Sequence, residues 1–78
     1  PNPFNPSATI RFSVEKGFIT SLHIYDINGR MVETLIDGIV ESGIHEIQWN
    51  AGNQASGIYF VRLESGDVFE TQKIVLMK

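Results

Sequence analysis

The feature that most constrains this chain is a series of short apolar runs that alternate with polar residues and end at turn-forming residues. Alternation with a period of two places one set of side chains on one face of a β-strand. No window carries the sustained 3.6-residue period of an amphipathic helix. The runs recur at intervals of roughly ten residues, which is typical of an antiparallel sandwich. The sequence therefore predicts an all-β fold.

The turn signals divide the chain into six predicted strands: residues 9–14, 19–27, 30–36, 44–49, 58–64 and 68–77. This number is close to the seven strands of an immunoglobulin-type domain. We therefore expect a small antiparallel immunoglobulin-like β-sandwich of six to seven strands. A chain of 78 residues has a thin core, so each large apolar side chain matters. The alternation assigns nine residues to that core: Phe12, Leu22, Ile24, Val32, Ile47, Trp49, Tyr59, Val61 and Leu63.

Several connections are predicted from their turn residues. Asn28-Gly29 is expected to form a type I′ hairpin turn, because both residue types tolerate positive φ. Residues 65–67, Ser-Gly-Asp, predict a second hairpin. Asp37-Gly38 and residues 41–43 bracket a short edge segment. Strict alternation cannot bury both Val32 and Leu35, which lie three residues apart in the third strand, so a bulge is predicted near Glu33. We assign structural roles to Asn28, Gly29, Trp49, Gly57 and Tyr59.

Composition excludes several classes of function. The formal net charge is −3, and the six basic residues are scattered, which argues against a nucleic-acid partner. No apolar run approaches the roughly 20 residues of a membrane-spanning helix. The chain has no cysteine, so disulfides and cysteine-based metal sites are excluded.

No catalytic, cofactor-binding or metal-binding residues are predicted, and the chain is not expected to be an enzyme. A serine hydrolase would need a Gly-x-Ser-x-Gly elbow, which is missing. His45 shares its strand face with Ile47 and Trp49, which favours a core-edge imidazole bonded to the backbone over a metal ligand. Residues 26–29, Asp-Ile-Asn-Gly, resemble part of a calcium loop, but turn formation explains the same residues.

The first seven residues contain three prolines, which fix φ and withhold amide donors. We expect residues 1–7 to form an extended, proline-rich arm and residues 8–78 to form the sandwich. The apolar Phe4 in the arm is expected to pack against its own sandwich or against a neighbouring copy.

Further stretches along the chain carry a family resemblance: residues 1–7, 24–30, 43–49 and 56–60, followed by Lys73 and Lys78. In this order the chain resembles the C-terminal sorting domain of the type IX (Por) secretion system. That family is also similar to the immunoglobulin-like domain of the flagellar hook-capping protein. The resemblance implies a tag without cofactors that follows an upstream cargo domain and is bound by secretion machinery proteins. It implies export through the periplasm to the outer cell surface or the extracellular space.

The resemblance to the family is most recognisable in the last strand. We therefore assign recognition to six residues: Lys73, Ile74, Val75, Leu76, Met77 and Lys78. A lysine on an edge strand also discourages aggregation, and this explanation of Lys73 has equal weight.

Two other functions stay open at this point. The domain could be a structural subunit of an extracellular fibre or surface protein, self-associating through exchange of its arm or through an edge strand. It could also be a carbohydrate-binding accessory module, provided that Trp49, Tyr59 and Phe60 form an exposed platform.

Overall fold

The computed structural model of the chain describes residues 7–15 and 18–77. This part of the chain contains no helix. It forms six strands: β1 (Ser7–Val14), β2 (Ile19–Tyr25), β3 (Met31–Ile39), β4 (Gly43–Asn50), β5 (Gly57–Ser65) and β6 (Val68–Leu76). Residues 1–6 of the predicted arm and Lys78 lie outside the described residues, and Ser7 is the first residue of β1.

The strands form two antiparallel sheets. β1 pairs with β4, and the other four strands form a sheet in the order β3-β2-β5-β6. The inward faces of both sheets carry the buried apolar side chains, as period-two alternation requires. The predicted fold class, a small antiparallel immunoglobulin-like β-sandwich, is confirmed with six strands.

Seven of the nine predicted core residues are buried, and the other two, Val32 and Ile47, pack half-buried against them. The core prediction is therefore confirmed. It is incomplete, because it omitted four buried apolar residues: Ile10, Val14, Ala51 and Leu76. It also omitted a buried polar pair, in which the hydroxyl oxygens of Thr20 and Ser65 lie 2.9 Å apart.

The third strand differs most from its prediction. It continues to Ile39, with Asp37 and Gly38 paired to Ser21 and Thr20 of β2, so the separate edge segment is wrong. Two residues, Val32 and Leu35, are skipped in the pairing with β2. These two irregularities flank Glu33 and confirm the predicted bulge. Because the strand bulges, both skipped residues pack against the core.

The Asn28-Gly29 turn is not type I′. Gly29 has φ of +83°, whereas Asn28, like every other non-glycine residue in the described ranges, has negative φ. The amide of Gly29 donates to the carbonyl of Asp26 at 3.0 Å, and the amide of Asp26 donates to that of Arg30 at 2.9 Å. This is the pattern of a type I turn followed by a left-handed glycine, which closes a three-residue hairpin loop.

The second predicted hairpin is confirmed between β5 and β6. Ser65 pairs with Val68, so Gly66 and Asp67 form a two-residue loop. Gly66 has φ of +58° and Asp67 does not have positive φ, which matches a type II′ turn. This tight turn fixes the register of β6 on β5 over nine residue pairs.

Candidate recognition surface on the terminal strand

The terminal strand β6 lies at one edge of the four-stranded sheet, and β3 lies at the other. The two edges differ in regularity. β3 is interrupted by two bulges, which twist an edge and weaken it as a template for another strand. β6 pairs with β5 without a register shift from Val68 to Leu76. The regular backbone edge of this sheet is therefore on β6.

The six residues assigned to recognition fall into groups with different exposure. Lys73, Val75 and Met77 are exposed, with Met77 placed just after the strand. Leu76 is in the core and Ile74 packs half-buried against it. Lys78 lies outside the described residues. A partner can contact the exposed residues directly, whereas Ile74 and Leu76 hold the strand on the sandwich.

Lys73 stands at the end of a row of residues that crosses all four strands on the outer face of the sheet. Lys73 is paired with Phe60, Phe60 with Tyr25, and Tyr25 with Met31. In the neighbouring row Val75 is paired with Ile58. Residues opposite each other in a sheet point to the same face, so these side chains adjoin. We call five of them the outer apolar patch: Tyr25, Met31, Ile58, Phe60 and Val75.

Members of this patch retain substantial exposure. The exposed fractions of Val75 and Met31 are 58% and 55%, and that of Ile58 is 36%. Tyr25 and Phe60 are half-buried. Isolated exposed apolar residues are ordinary on protein surfaces, whereas a contiguous apolar group is a candidate interaction site.

The charge in this region is unbalanced. Within the described residues, the ammonium group of Lys73 makes neither an ion pair nor a hydrogen bond. Arg62, on the same face, already has partners, because its Nε lies 3.3 Å from Glu64 Oε1 and its guanidinium lies over the Phe69 ring. Lys73 therefore presents an uncompensated positive charge beside the outer apolar patch.

The outer face of the β1–β4 sheet has a different character. It pairs Arg11 with Glu46 and Thr9 with Gln48, and all four residues are exposed or half-buried. Arg11 and Glu46 lie opposite each other without forming an ion pair within the described chain, and the Gln48 side-chain amide donates to Ser7 Oγ at 3.3 Å. Ile44 is an exposed exception at the end of this face. The two outer surfaces of the sandwich are thus chemically distinct.

Trp49 and Tyr59 lie between the sheets. Trp49 has no exposed surface, its Nε1 donates to Glu33 Oε1 at 3.0 Å, and its ring meets that of Tyr59 edge-on at 5.2 Å. The Tyr59 hydroxyl donates to the carbonyl of Ala55 at 2.6 Å. Phe60 points to the opposite face from Tyr59. The three aromatic residues therefore do not form the platform that sugar binding requires.

Gly57 lies at the end of a strand, and Asn28 lies in the loop between β2 and β3. Gly57 begins β5 and pairs with Leu76, the last residue of β6. The amide of Asn28 donates to Asp26 Oδ1 at 2.9 Å, and the amide of Arg30 donates to the same oxygen at 3.0 Å. The hydrogen bond from the Arg30 amide is the main cause that lowers the pKa of Asp26 below its ordinary value of 3.8.

The other side chains considered for chemistry have structural partners. His45 Nε2 lies 2.7 Å from the carbonyl oxygen of Glu41, and its ring stacks on Phe12 at 5.4 Å. The predicted core-edge imidazole with a backbone partner is confirmed. The Asp26 carboxylate accepts hydrogen bonds within its own turn, as expected from the preference for turn formation over a calcium site. Residues 7–15 and 18–77 hold no group of three or more histidine or acidic residues placed to bind a metal ion.

Sequence reasoning missed the partners of the terminal strand on the outer face. Phe60 could have been found, because a two-residue hairpin loop at Gly66-Asp67 places it opposite Lys73. Tyr25 and Met31 could not have been found from the sequence, because their place beside Phe60 depends on the pairing of β2 with β5. These two strands are far apart in the chain, and no local pattern shows that they pair.

Across the described ranges, no helix of sufficient length and apolar character to span a membrane is found.

The chain was compared with known protein families, curated proteins and solved structures. No curated protein and no solved structure shows significant similarity to the chain. A family model described as a secretion system C-terminal sorting domain matches residues 1–77. That match covers the whole sandwich and includes the exposed edge strand. The chain therefore belongs to the secretion system C-terminal sorting domain family.

Proposed function

We propose that this domain is a non-catalytic sorting module that directs an upstream cargo domain through the type IX secretion machinery. The match of the family model over residues 1–77 carries the proposal. The cargo crosses the periplasm and reaches the outer cell surface or the extracellular space. The module needs no cofactor, because it works by being bound rather than by chemistry on a substrate.

The recognition determinants in this proposal are the exposed residues of the terminal segment. Lys73 and Val75 project from a regular edge strand. Val75 belongs to the outer apolar patch, and Lys73 lies beside it. Ile74 and Leu76 contribute indirectly by fixing the strand on the core. We include Lys78 on the family resemblance alone.

The division into a proline-rich arm, residues 1–7, and a sandwich, residues 8–78, is part of the same proposal. In it, the arm joins the cargo domain to the sandwich. The relation to the immunoglobulin-like domain of the hook-capping protein is proposed on the residue resemblance alone.

The two alternative functions have weaker grounds. The family match gives no support to a fibre subunit, and arm exchange would involve residues outside the described ranges. The carbohydrate module needs aromatic faces that are open to solvent, whereas Trp49 is fully buried and Tyr59 is 5% exposed.

The proposal is tested by transfer of the module. Residues 1–78 are fused behind a periplasmic reporter enzyme in a host with type IX machinery. We expect reporter activity at the cell surface or in the medium, while the reporter without the fusion stays in the periplasm. Retention of a folded fusion in the periplasm would contradict the proposal.

Deletion of residues 73–78 is expected to stop export, but it also removes Leu76 from the core. The deletion therefore needs a control that separates recognition from unfolding. A Leu76→Ala fusion serves this purpose, because it weakens the core and retains every exposed side chain of the segment. Loss of export in the deletion, with export by a folded Leu76→Ala fusion, assigns the effect to recognition.

A further inference from the structure

The free edge of β6 and the surface beside it combine two features that suit an extended peptide. The strand is regular over nine residues, and no strand of the described chain pairs with its outer side. Unpaired amides and carbonyls of such an edge can bond to another strand. The adjoining outer apolar patch lies on one face of that edge, where side chains of an added strand would fall.

The charge of Lys73 indicates which kind of strand the free edge of β6 can bind. The segment carries Lys73 without an ion-pair partner in the described chain. An added strand places a side chain directly opposite Lys73 on the same face, within reach of an ion pair. A carboxylate at that position would balance the lysine, and apolar residues on either side of it would cover Val75 and its neighbours.

A second copy that adds its own β6 fits this requirement poorly. The residues of β6 that share the outer face with Lys73 are Phe69, Thr71 and Val75, none of which is acidic. An anionic membrane fits poorly as well. Each lysine or arginine near a charged bilayer contributes about 1 kcal/mol, and this face offers one unpaired cation on a chain of net charge −3.

We propose that β6 binds an extended, acidic segment of a partner protein as a seventh strand, with a carboxylate of that segment opposite Lys73. This inference deepens the proposed sorting function and rests on it. It specifies that the partner offers a peptide strand with alternating apolar residues and a central Asp or Glu.

The test uses residues 1–78 labelled with ¹⁵N and a synthetic peptide probe, acetyl-Ser-Val-Ser-Glu-Ser-Val-Ser-amide, in which the central glutamate and both valines lie on the same face of the strand. A matched probe has lysine in place of the glutamate. Amide chemical shifts report where each probe binds. We expect the glutamate probe to shift the amides of β6 and to leave those of the bulged β3 edge unchanged. Its affinity should exceed that of the lysine probe by about two- to fivefold, the range of an exposed ion pair.

Charge reversal at one residue makes the test specific. Lys73→Glu should invert the preference, so that the lysine probe binds more tightly, and Lys73→Gln should abolish it. Arg11→Glu, on the outer face of the other sheet, is the matched control and should leave the preference unchanged. Both positions are exposed, so the variants retain the fold, which their dispersed amide spectra would verify.

Three results would overturn the inference: no shifts in β6 with either probe, equal affinities for the two probes, or shifts on β6 caused by anionic phospholipid vesicles but not by peptide. These outcomes are independent of the export assay. Export of the intact fusion without peptide binding would refute strand addition and leave the sorting function in place. Peptide binding without export would refute the sorting function.

Discussion

At the scale of single residues, stability is concentrated in the aromatic pair between the sheets. Trp49 fills the space against Tyr59, and its indole N–H donates to Glu33. A small domain buries a limited fraction of its surface, so one large side chain contributes a large share of its stability. Trp49 therefore sets the stability of the sandwich on which the exposed strand depends.

Trp49→Ala should lower the free energy of unfolding by about 3 to 5 kcal/mol, through lost contacts and the cavity left behind. Such a loss is comparable to the whole stability of a small domain. Urea denaturation followed by circular dichroism measures it, with Trp49→Phe as a control that keeps an aromatic ring. A loss under 1 kcal/mol would show that Trp49 is not part of the core.

A second prediction at this scale concerns pH. The amides of Arg30 and Asn28 donate to the ionised Asp26 carboxylate, so its pKa is lower in the folded state than its ordinary value of 3.8. A depressed pKa contributes stability that is present above 3.8 and is lost as pH falls through the folded pKa. A ¹³C titration of the carboxyl carbon should give a midpoint below 3.8. A midpoint at or above that value would show that the turn does not bind the carboxylate.

At the scale of elements, the two edges of the large sheet have different designs. β3 carries two bulges, which make a poor template for another strand. β6 is regular and carries Lys73, which discourages self-pairing without blocking an acidic partner. The two explanations of Lys73, protection and recognition, are therefore compatible in one strand.

The corrected turn between β2 and β3 gives an element-scale prediction. Gly29→Ala should cost about 1 kcal/mol, because a side chain disfavours positive φ, and Gly29→Val should cost more. The penalty is a backbone effect, since a Cβ at Gly29 would meet no atom within 4 Å. Gly52→Ala is the matched control: it is equally uncrowded and lacks positive φ, so its effect should stay within about 0.5 kcal/mol. Equal losses in both variants would contradict the assigned turn.

Much of each element could be predicted from local pattern. Alternation located all six strands and the inward side of β2, where Leu22 and Ile24 are buried. The turn type could not be predicted from Asn28-Gly29, because the carboxylate of Asp26 binds two loop amides and favours a different turn. The extension of β3 through Gly38 depends on its pairing with Thr20, a nonlocal contact that propensity does not encode.

The positions of the residues in the proposed recognition surface could be predicted in part. Its exposed lysine and the edge position of its strand were expected from the chain's last run of apolar residues. The row from Lys73 to Met31 depends on the strand order β3-β2-β5-β6, which joins residues far apart in sequence. Local alternation alone cannot assign strands to sheets, so this part of the surface required the tertiary structure.

At the scale of the whole molecule, the sandwich presents one polar face and one face with an apolar patch beside an unpaired lysine. On the polar face Arg11 lies opposite Glu46 in the strand register, whereas Lys73 lies opposite the apolar Phe60. In the proposed function, the face with the apolar patch is the side that binds the partner. Each face also has an exposed basic residue on a strand, Lys73 on one and Arg11 on the other, so matched substitutions can be made on both.

In the proposed function, export depends on the exposed residues of the terminal strand. The exported fraction of a reporter fusion measures this dependence. One fusion carries Lys73→Glu with Val75→Asp, and its matched control carries Arg11→Glu with Thr9→Asp on the opposite face. Purified domains with the same changes would show by circular dichroism that both remain folded. We expect the fusion with Lys73→Glu and Val75→Asp to remain mostly in the periplasm. We expect the control fusion to be exported like the unaltered fusion. Equal export of the two folded fusions would contradict it.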